Sequence, residues 1–248
     1  MIHTTIPAVD FDTIYATDLV YVEGCWKLCG DAHCCSFSRH KAKFKFLAKT
    51  PGQELPLLPG EYEYLAANGY LAQFQDHEHR VVDYAFGPNR SIRMETIISR
   101  RPGCACDHGT RPTICRLYPS FPVFDIDGRL TGLDRVGIYD AMEELDGLER
   151  ICKVETMPLT EVEKLLKITN AIAAEPRAVF YMMAYQLTHA YVRERLVALK
   201  GDRALSMFAV FENALLRNQL IEADVLKGKL NALADRFEAR WPGQFHLP

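Results

Sequence analysis

The sequence predicts an α+β fold that is mostly helical overall, with short strands in a cysteine-rich N-terminal part and a helical bundle at the C-terminal end. Between about residues 80 and 133, apolar residues alternate with polar ones and turn signals separate the runs, which is typical of hairpins. From residue 138 onward, apolar residues recur with a helical period instead. We therefore place one region at 1–135 and a helical region at 136–248 that can share one core with the first.

Three elements are expected before the hairpins. The stretch from Thr13 to Val22 has strand character. Thr50–Gly60 carries three prolines and two glycines, which favours a linker or an ordered loop. Glu61–Phe74 follows as a helix that is broken near Asn68-Gly69.

Two hairpins follow. The first joins Arg80–Phe86 to Ile92–Ser99 through a turn at Gly87–Asn89 and leads directly into a cysteine-rich stretch. The second joins Phe121–Ile126 to Leu130–Leu133 around an Asp-Gly dipeptide.

The second region should hold five helices. The first spans Ile138–Ile151, and the second begins with a capping box of Thr160 and Glu163. The third begins at Pro176, the fourth is capped by Asp202, and the fifth spans Ile221–Trp241.

Composition places the chain among ordinary globular proteins. It has 248 residues, of which 48% are hydrophobic and 25% charged, and a formal net charge of −3. This slightly negative charge argues against a surface that binds nucleic acid over most of its area, and it leaves room for a local basic patch. No apolar run approaches the length of a membrane span, and Met1–Asp12 lacks the basic and apolar regions of a secretory signal. We expect a cytoplasmic protein without a membrane partner.

The eight cysteines are the most informative residues. Seven of them fall into two groups about seventy residues apart, and Cys152 stands alone as an expected small buried side chain. In a long chain of the reducing cytosol, clustered thiolates favour metal binding over disulfides. The first group contains Cys25, Cys29, Cys34 and Cys35, and the second contains Cys104, Cys106 and Cys115.

A tetrahedral zinc ion or an iron–sulfur cluster needs about four such ligands, so some of the seven are surplus. Neighbouring side chains point in different directions, so one of Cys34 and Cys35 should bind while the other packs. Which of Cys104 and Cys106 binds stays open, as does exchange between Cys25 and Cys29. His108 is an alternative nitrogen ligand, although a solvent-facing loop position is the simpler interpretation.

Both cysteine segments resemble a known family pattern. The first reads CWKLCGDAHCC over Cys25–Cys35 and ends in a cysteine pair, and the second reads RPTICRLYP over Arg111–Pro119. Together they resemble the zinc/iron-chelating cysteine-cluster domain of many small bacterial proteins, a family that includes flagellin lysine-N-methylases. The resemblance covers about residues 20–125 and implies a metal or iron–sulfur site built from these cysteines. It implies no single activity.

The neighbours of Cys115 suit such a site. Pro112 and Pro119 should hold Cys115 on a short, rigid turn. Arg111 and Arg116 would place two positive charges beside the thiolates as cofactor-binding residues, although ordinary ion pairs to Asp or Glu would explain them equally well.

Two further groups of polar residues have less specific interpretations. The run from Asp76 to His79 offers a possible ligand pair, but an exposed turn is the simpler interpretation. Basic residues interleaved with phenylalanines follow the first cysteine group and are typical of a solvated face, with recognition of an acidic partner as the sharper hypothesis. They are Arg39, His40, Lys41, Lys43 and Lys45.

We expect an iron–sulfur protein, with a [4Fe–4S] cluster favoured, that acts as a redox or group-transfer enzyme on an unidentified small molecule or protein. The alternative is a zinc-stabilised, non-catalytic module that binds a protein partner.

Overall fold

A computed structural model describes residues 9–21, 43–47, 53–99, 106–118, 120–135, 137–148 and 157–243 of the chain. Within these ranges the fold is α+β and mostly helical, as predicted. The elements are α1 (Phe11–Tyr15), β1 (Gln53–Leu57), α2 (Glu61–Ala67), a 3-10 helix (Tyr70–Gln73), β2 (Glu78–Gly87), β3 (Arg90–Ser99), α3 (Thr113–Leu117), β4 (Ser120–Phe124), β5 (Leu130–Arg135), α4 (Ile138–Leu145), α5 (Leu159–Ala173), α6 (Pro176–Lys200), α7 (Met207–Leu216) and α8 (Ala223–Arg240).

The strands of the described residues form two small antiparallel sheets. One has the order β1-β3-β2, and the other pairs β4 with β5. Both predicted hairpins are confirmed, because β2 pairs with β3 and β4 pairs with β5 across the expected turns. Asn89 adopts the left-handed φ of 54° that the first turn requires.

The loop expected at Thr50–Gly60 is wrong in part, since Gln53–Leu57 forms strand β1. Pro56 lies opposite Thr96 of β3. A proline is tolerated here because β1 is at the edge of the sheet, where one side of the strand needs no ladder donors.

The strand expected from Thr13 is also wrong. Residues Phe11–Tyr15 form helix α1, because Asp10 accepts a hydrogen bond from the Thr13 backbone nitrogen at 2.9 Å and caps the first turn. The helix expected at Glu61–Phe74 is broken where predicted, with α2 ending before Asn68 and the 3-10 helix following Gly69.

The region from residue 137 is helical as predicted, with α6 packed against α4, α5, α7 and α8. Three details differ. Helix α4 ends at Leu145, because Gly147 has a left-handed φ of 74°. Helix α5 begins after Pro158 without a side-chain cap, so the Thr160 capping box does not form. Ser206, and not Asp202, caps α7 by accepting from the Ala209 backbone nitrogen at 3.2 Å.

One cluster of buried apolar side chains runs through the described residues. It includes Ile14, Leu65 and Ile97 from the first region and Ile168 and Phe237 from the second, all with no exposed surface. The two regions therefore bury apolar surface against a common interior. In the described part of the chain, no helix combines the length and apolarity needed to cross a bilayer.

Candidate metal centre

Two of the seven predicted thiolate ligands, Cys106 and Cys115, lie in the described residues, and both are partly buried against the core. Cys106 begins a described segment, 106–118, and Cys115 lies in the short helix α3 within it. The other predicted ligands and Cys152 lie outside the described residues. These five other predicted ligands are Cys25, Cys29, Cys34, Cys35 and Cys104.

Helix α3, which carries Cys115, begins where Pro112 ends the extended chain. Pro112 has φ −55° and ψ 156°, and its carbonyl accepts from the Cys115 backbone nitrogen at 2.9 Å. The short rigid turn that the two prolines predict around Cys115 is therefore a five-residue helix. Five residues cannot form a stable helix alone, so contacts from elsewhere must hold it.

The carboxylate of Glu61 supplies the first of these contacts. Glu61 begins α2 and is fully buried. Its Oε1 accepts from the backbone nitrogen of Thr113 at 2.6 Å and from the Thr113 hydroxyl at 2.7 Å. The Tyr15 hydroxyl donates to the same oxygen at 2.7 Å, and the Leu58 backbone nitrogen donates to Oε2 at 2.9 Å. Four donors satisfy a buried charge that would otherwise be costly.

Arg116 supplies the second contact. Its guanidinium, 1% exposed, donates to the main-chain carbonyls of Arg111 at 2.9 Å, Thr17 at 2.9 Å and Gly109. The same group lies 4.7 Å from the centroid of the Tyr15 ring. Arg116 therefore ties helix α3 to the preceding turn and to the N-terminal stretch.

Arg111 plays a similar part on the other side of Pro112. It donates to the carbonyls of His108, at 3.1 Å, and Leu19, and it lies 3.6 Å from the Asp18 carboxylate. Its Nε is buried and has no hydrogen-bond partner among the described residues. The hydrogen bonds of both arginines thus go chiefly to main-chain carbonyls, while their role beside thiolates stays a prediction.

The turn that follows Cys106 is held by Gln73, the last residue of the 3-10 helix. The Gln73 side-chain oxygen accepts from the backbone nitrogen of Asp107 at 2.8 Å and from the Thr110 hydroxyl at 3.2 Å. Its amide nitrogen donates to the Thr110 carbonyl at 3.0 Å. One amide therefore fixes the backbone on both sides of the turn.

Residues 17–21 run along this segment. The carbonyl of Leu19 accepts from Arg111 and that of Thr17 from Arg116. The Tyr21 hydroxyl donates to the Leu117 carbonyl at 2.8 Å. The chain that leads into the first cysteine group therefore lies against the helix of the second.

Burial dominates the electrostatics around Cys115. Burial, with the Glu61 carboxylate beside it, raises the pKa of Tyr15, so the phenol stays protonated and serves as a donor. Burial and the neighbouring Arg111 lower the pKa of Arg116. Burial and the Arg111 guanidinium lower the pKa of His108 from its ordinary value. Its imidazole is therefore neutral at neutral pH, which is the form that binds metals.

The predicted alternative ligands have partners within the chain. His108 Nδ1 lies 3.3 Å from the Asp18 carboxylate, and the side chain is only partly exposed. His79 stacks on Tyr62 with ring centroids 3.5 Å apart and lies 3.0 Å from Glu95 Oε2. His77 bonds the Phe74 carbonyl. The exposed turn expected over this run is confirmed at Asp76, whereas both histidines are half-buried against neighbouring elements.

Two of the basic residues after the first cysteine group are described. Lys43 pairs with Glu143 at 2.8 Å and lies over the Phe208 ring. Lys45 lies over Phe46, while the backbone nitrogens of 45–47 donate to the buried carboxylate of Glu212. This stretch is anchored to helices α4 and α7. Arg39, His40 and Lys41 lie outside the described residues.

A small apolar cleft lies on the side of α3 that carries Ile114 and Leu117. Tyr181 and Met182 of α6 line its opposite wall. Its interior of about 20 Å³ has room for about one water molecule.

No cluster of three or more His, Cys, Asp or Glu side chains in the described ranges is arranged to hold a metal ion. Five of the seven predicted ligands lie outside those ranges, so the predicted ligand set is not tested. Comparison of the chain with family models, curated proteins and solved structures finds no match.

The supporting residues Glu61, Gln73, Tyr15 and Tyr21 were not predicted. Glu61, Gln73 and Tyr21 bond the cysteine segment across more than thirty residues of sequence, and Tyr15 acts on it through Glu61. Of these four residues, Glu61 alone had a local signal, because it follows Pro59-Gly60 and begins a predicted helix.

Proposed function

We propose that the chain is a metal-binding protein in which thiolates from both cysteine groups hold one iron–sulfur cluster, with [4Fe–4S] favoured. The observation that carries this proposal is the set of three hydrogen bonds that lays residues 17–21 along Arg111–Leu117. These bonds hold the chain that leads towards Cys25, up to Tyr21, against the helix of Cys115.

Chain length supports convergence. Cys25 follows Tyr21 by four residues, and four extended residues span at most about 14 Å. Tyr21 itself is bonded to Leu117, two residues beyond Cys115. On the other side, Cys104 precedes Cys106 by two residues. A centre beside Cys115 is therefore within reach of thiols from both groups.

The charge of the segment also fits an anionic centre. Arg111 and Arg116 are buried cations beside Cys115, and the Arg111 Nε has no acceptor among the described residues. A thiolate or a cluster sulfide would be such an acceptor. We infer that the two guanidinium groups offset part of the charge of the thiolate ligands.

An iron–sulfur cluster would supply one-electron transfer at this position. The family that the two cysteine segments resemble includes lysine-N-methylases, so methylase-like group transfer is proposed beside a redox role.

A zinc-stabilised module is the second candidate. It rests on the same clustered thiols, since four of them would close a tetrahedral zinc site. Closed zinc sites contribute directly to folding, and this module would act by binding a protein partner.

Purification without oxygen, followed by measurement of iron, acid-labile sulfide and zinc, separates the candidates. A brown protein with iron and sulfide in comparable amounts supports the cluster. A colourless protein with stoichiometric zinc, destabilised by a chelator, supports the module. Absence of both metals would overturn both.

A further inference from the structure

The stretch formed by α2 and the 3-10 helix contacts the described segment 106–118 at two places. At one end, Glu61 bonds the first residue of the helix of Cys115. At the other end, Gln73 bonds the turn that follows Cys106. The two cysteines therefore depend on a common support.

Glu61 determines how the helix of Cys115 begins. Its Oε1 accepts both donors of Thr113, two residues before Cys115. The carboxylate is 52 residues away in sequence and has no exposed surface. Four hydrogen bonds hold the Glu61 carboxylate in one orientation, because any rotation would break some of them.

Tyr15 extends the same network to the other side of Cys115. Its hydroxyl donates to Glu61 at 2.7 Å, and its ring lies 4.7 Å from the guanidinium carbon of Arg116. The network thus holds residues 113 and 116, on both sides of the thiol-bearing residue.

We propose that Glu61 is a positioning residue that sets the orientation of the Cys115 thiol through Thr113 and Tyr15. This inference rests on the proposed metal centre, because its role is to hold a ligand in place. Partners that orient metal ligands usually cost about 10- to 100-fold in metal affinity when they are removed.

Glu175 offers a matched control. It is also a buried carboxylate at the start of a helix, and it accepts from the backbone nitrogens of Arg177 at 3.0 Å and Ala178 at 3.1 Å. These donors belong to its own helix, α6. Glu175→Gln should cost stability as Glu61→Gln does, without acting on a cysteine.

The test compares Glu61→Gln, Glu175→Gln and the milder variant Tyr15→Phe. Metal affinity is measured by competition with a chelator, and the folded fraction by circular dichroism. We expect affinity to fall about 10- to 100-fold in Glu61→Gln, to fall less in Tyr15→Phe and to be unchanged in Glu175→Gln. Equal affinity in Glu61→Gln and Glu175→Gln, at equal folded fraction, would overturn the inference.

A second readout does not depend on metal. Alkylation of the metal-free chain by iodoacetamide, mapped by mass spectrometry, reports how accessible the Cys115 thiol is. We expect the ratio of Cys115 to Cys106 labelling to change severalfold in Glu61→Gln and to stay at the wild-type value in Glu175→Gln. An unchanged ratio in Glu61→Gln refutes the positioning role, whereas a wild-type chain without metal refutes only the proposed function.

Discussion

At the scale of single residues, Gly87 shows how closely the first hairpin meets helix α8. A Cβ atom at this position would collide with Asn231 Oδ1. Asn231 is held in place, because its amide donates to the carbonyls of Phe86 at 2.5 Å and Lys227 at 3.0 Å and accepts from Arg90 at 3.0 Å. A larger residue at 87 must break some of these bonds.

Gly87→Ala should therefore lower the free energy of unfolding by about 1–3 kcal/mol, measured by urea denaturation. Gly132→Ala is the control, because a Cβ atom there meets no other atom within 4 Å. It should leave stability unchanged or raise it slightly. Equal stability of the two variants would be inconsistent with the close contact.

At the scale of elements, the segment around α3 is held by buried polar side chains more than by its own helical hydrogen bonds. Arg116 donates to carbonyls of three separate residues. A lysine carries the same charge but lacks the planar fork that reaches these acceptors together.

Arg116→Lys should lower the free energy of unfolding by about 2–4 kcal/mol, because buried carbonyls lose their donors. The measurement is urea denaturation in reducing buffer. Arg203→Lys serves as the comparison, since Arg203 is exposed and should change stability by less than about 0.5 kcal/mol. A similarly small change for Arg116→Lys would show that its bonds add little.

The elements that the sequence predicts well are those with local signals. Both hairpins are marked by turn residues, and Gly128 has the left-handed φ of 77° that its turn needs. Local signals also mislead. The β-branched Thr13 and Ile14 favour a strand, but the cap at Asp10 and the burial of Ile14 prevail. Pro158 starts α5 before Thr160 can cap it.

At the candidate centre, too, some residues have local sequence signals and others do not. Cysteine type and spacing identify candidate ligands, and the prolines predict a short turn at Cys115. The partners that hold this turn could not be predicted, because Glu61 and Tyr21 meet it only through the tertiary fold. A buried carboxylate with distant donors has no sequence signature.

At the scale of the whole molecule, residues of both predicted regions share one cluster of buried side chains. Ile14 of α1 and Phe237 of α8 are both fully buried. A shared interior implies that neither region should unfold without exposing apolar surface of the other.

Ile14→Ala and Phe237→Ala should therefore each lower the free energy of unfolding by about 2–5 kcal/mol. Both should shift the midpoint of one and the same unfolding transition. Circular dichroism and intrinsic fluorescence should trace coincident curves in both variants. Two separate transitions, each sensitive to only one variant, would show that the regions fold independently.

The central claim is that thiols from two distant stretches meet at one inorganic centre. Cys115 is an expected ligand, and Cys152 is not. Both serine variants can be purified without oxygen and analysed for iron and zinc per chain at equal folded fraction. Cys115→Ser should lose most of its metal, while Cys152→Ser keeps the wild-type content. Equal metal content in the two variants would contradict the claim.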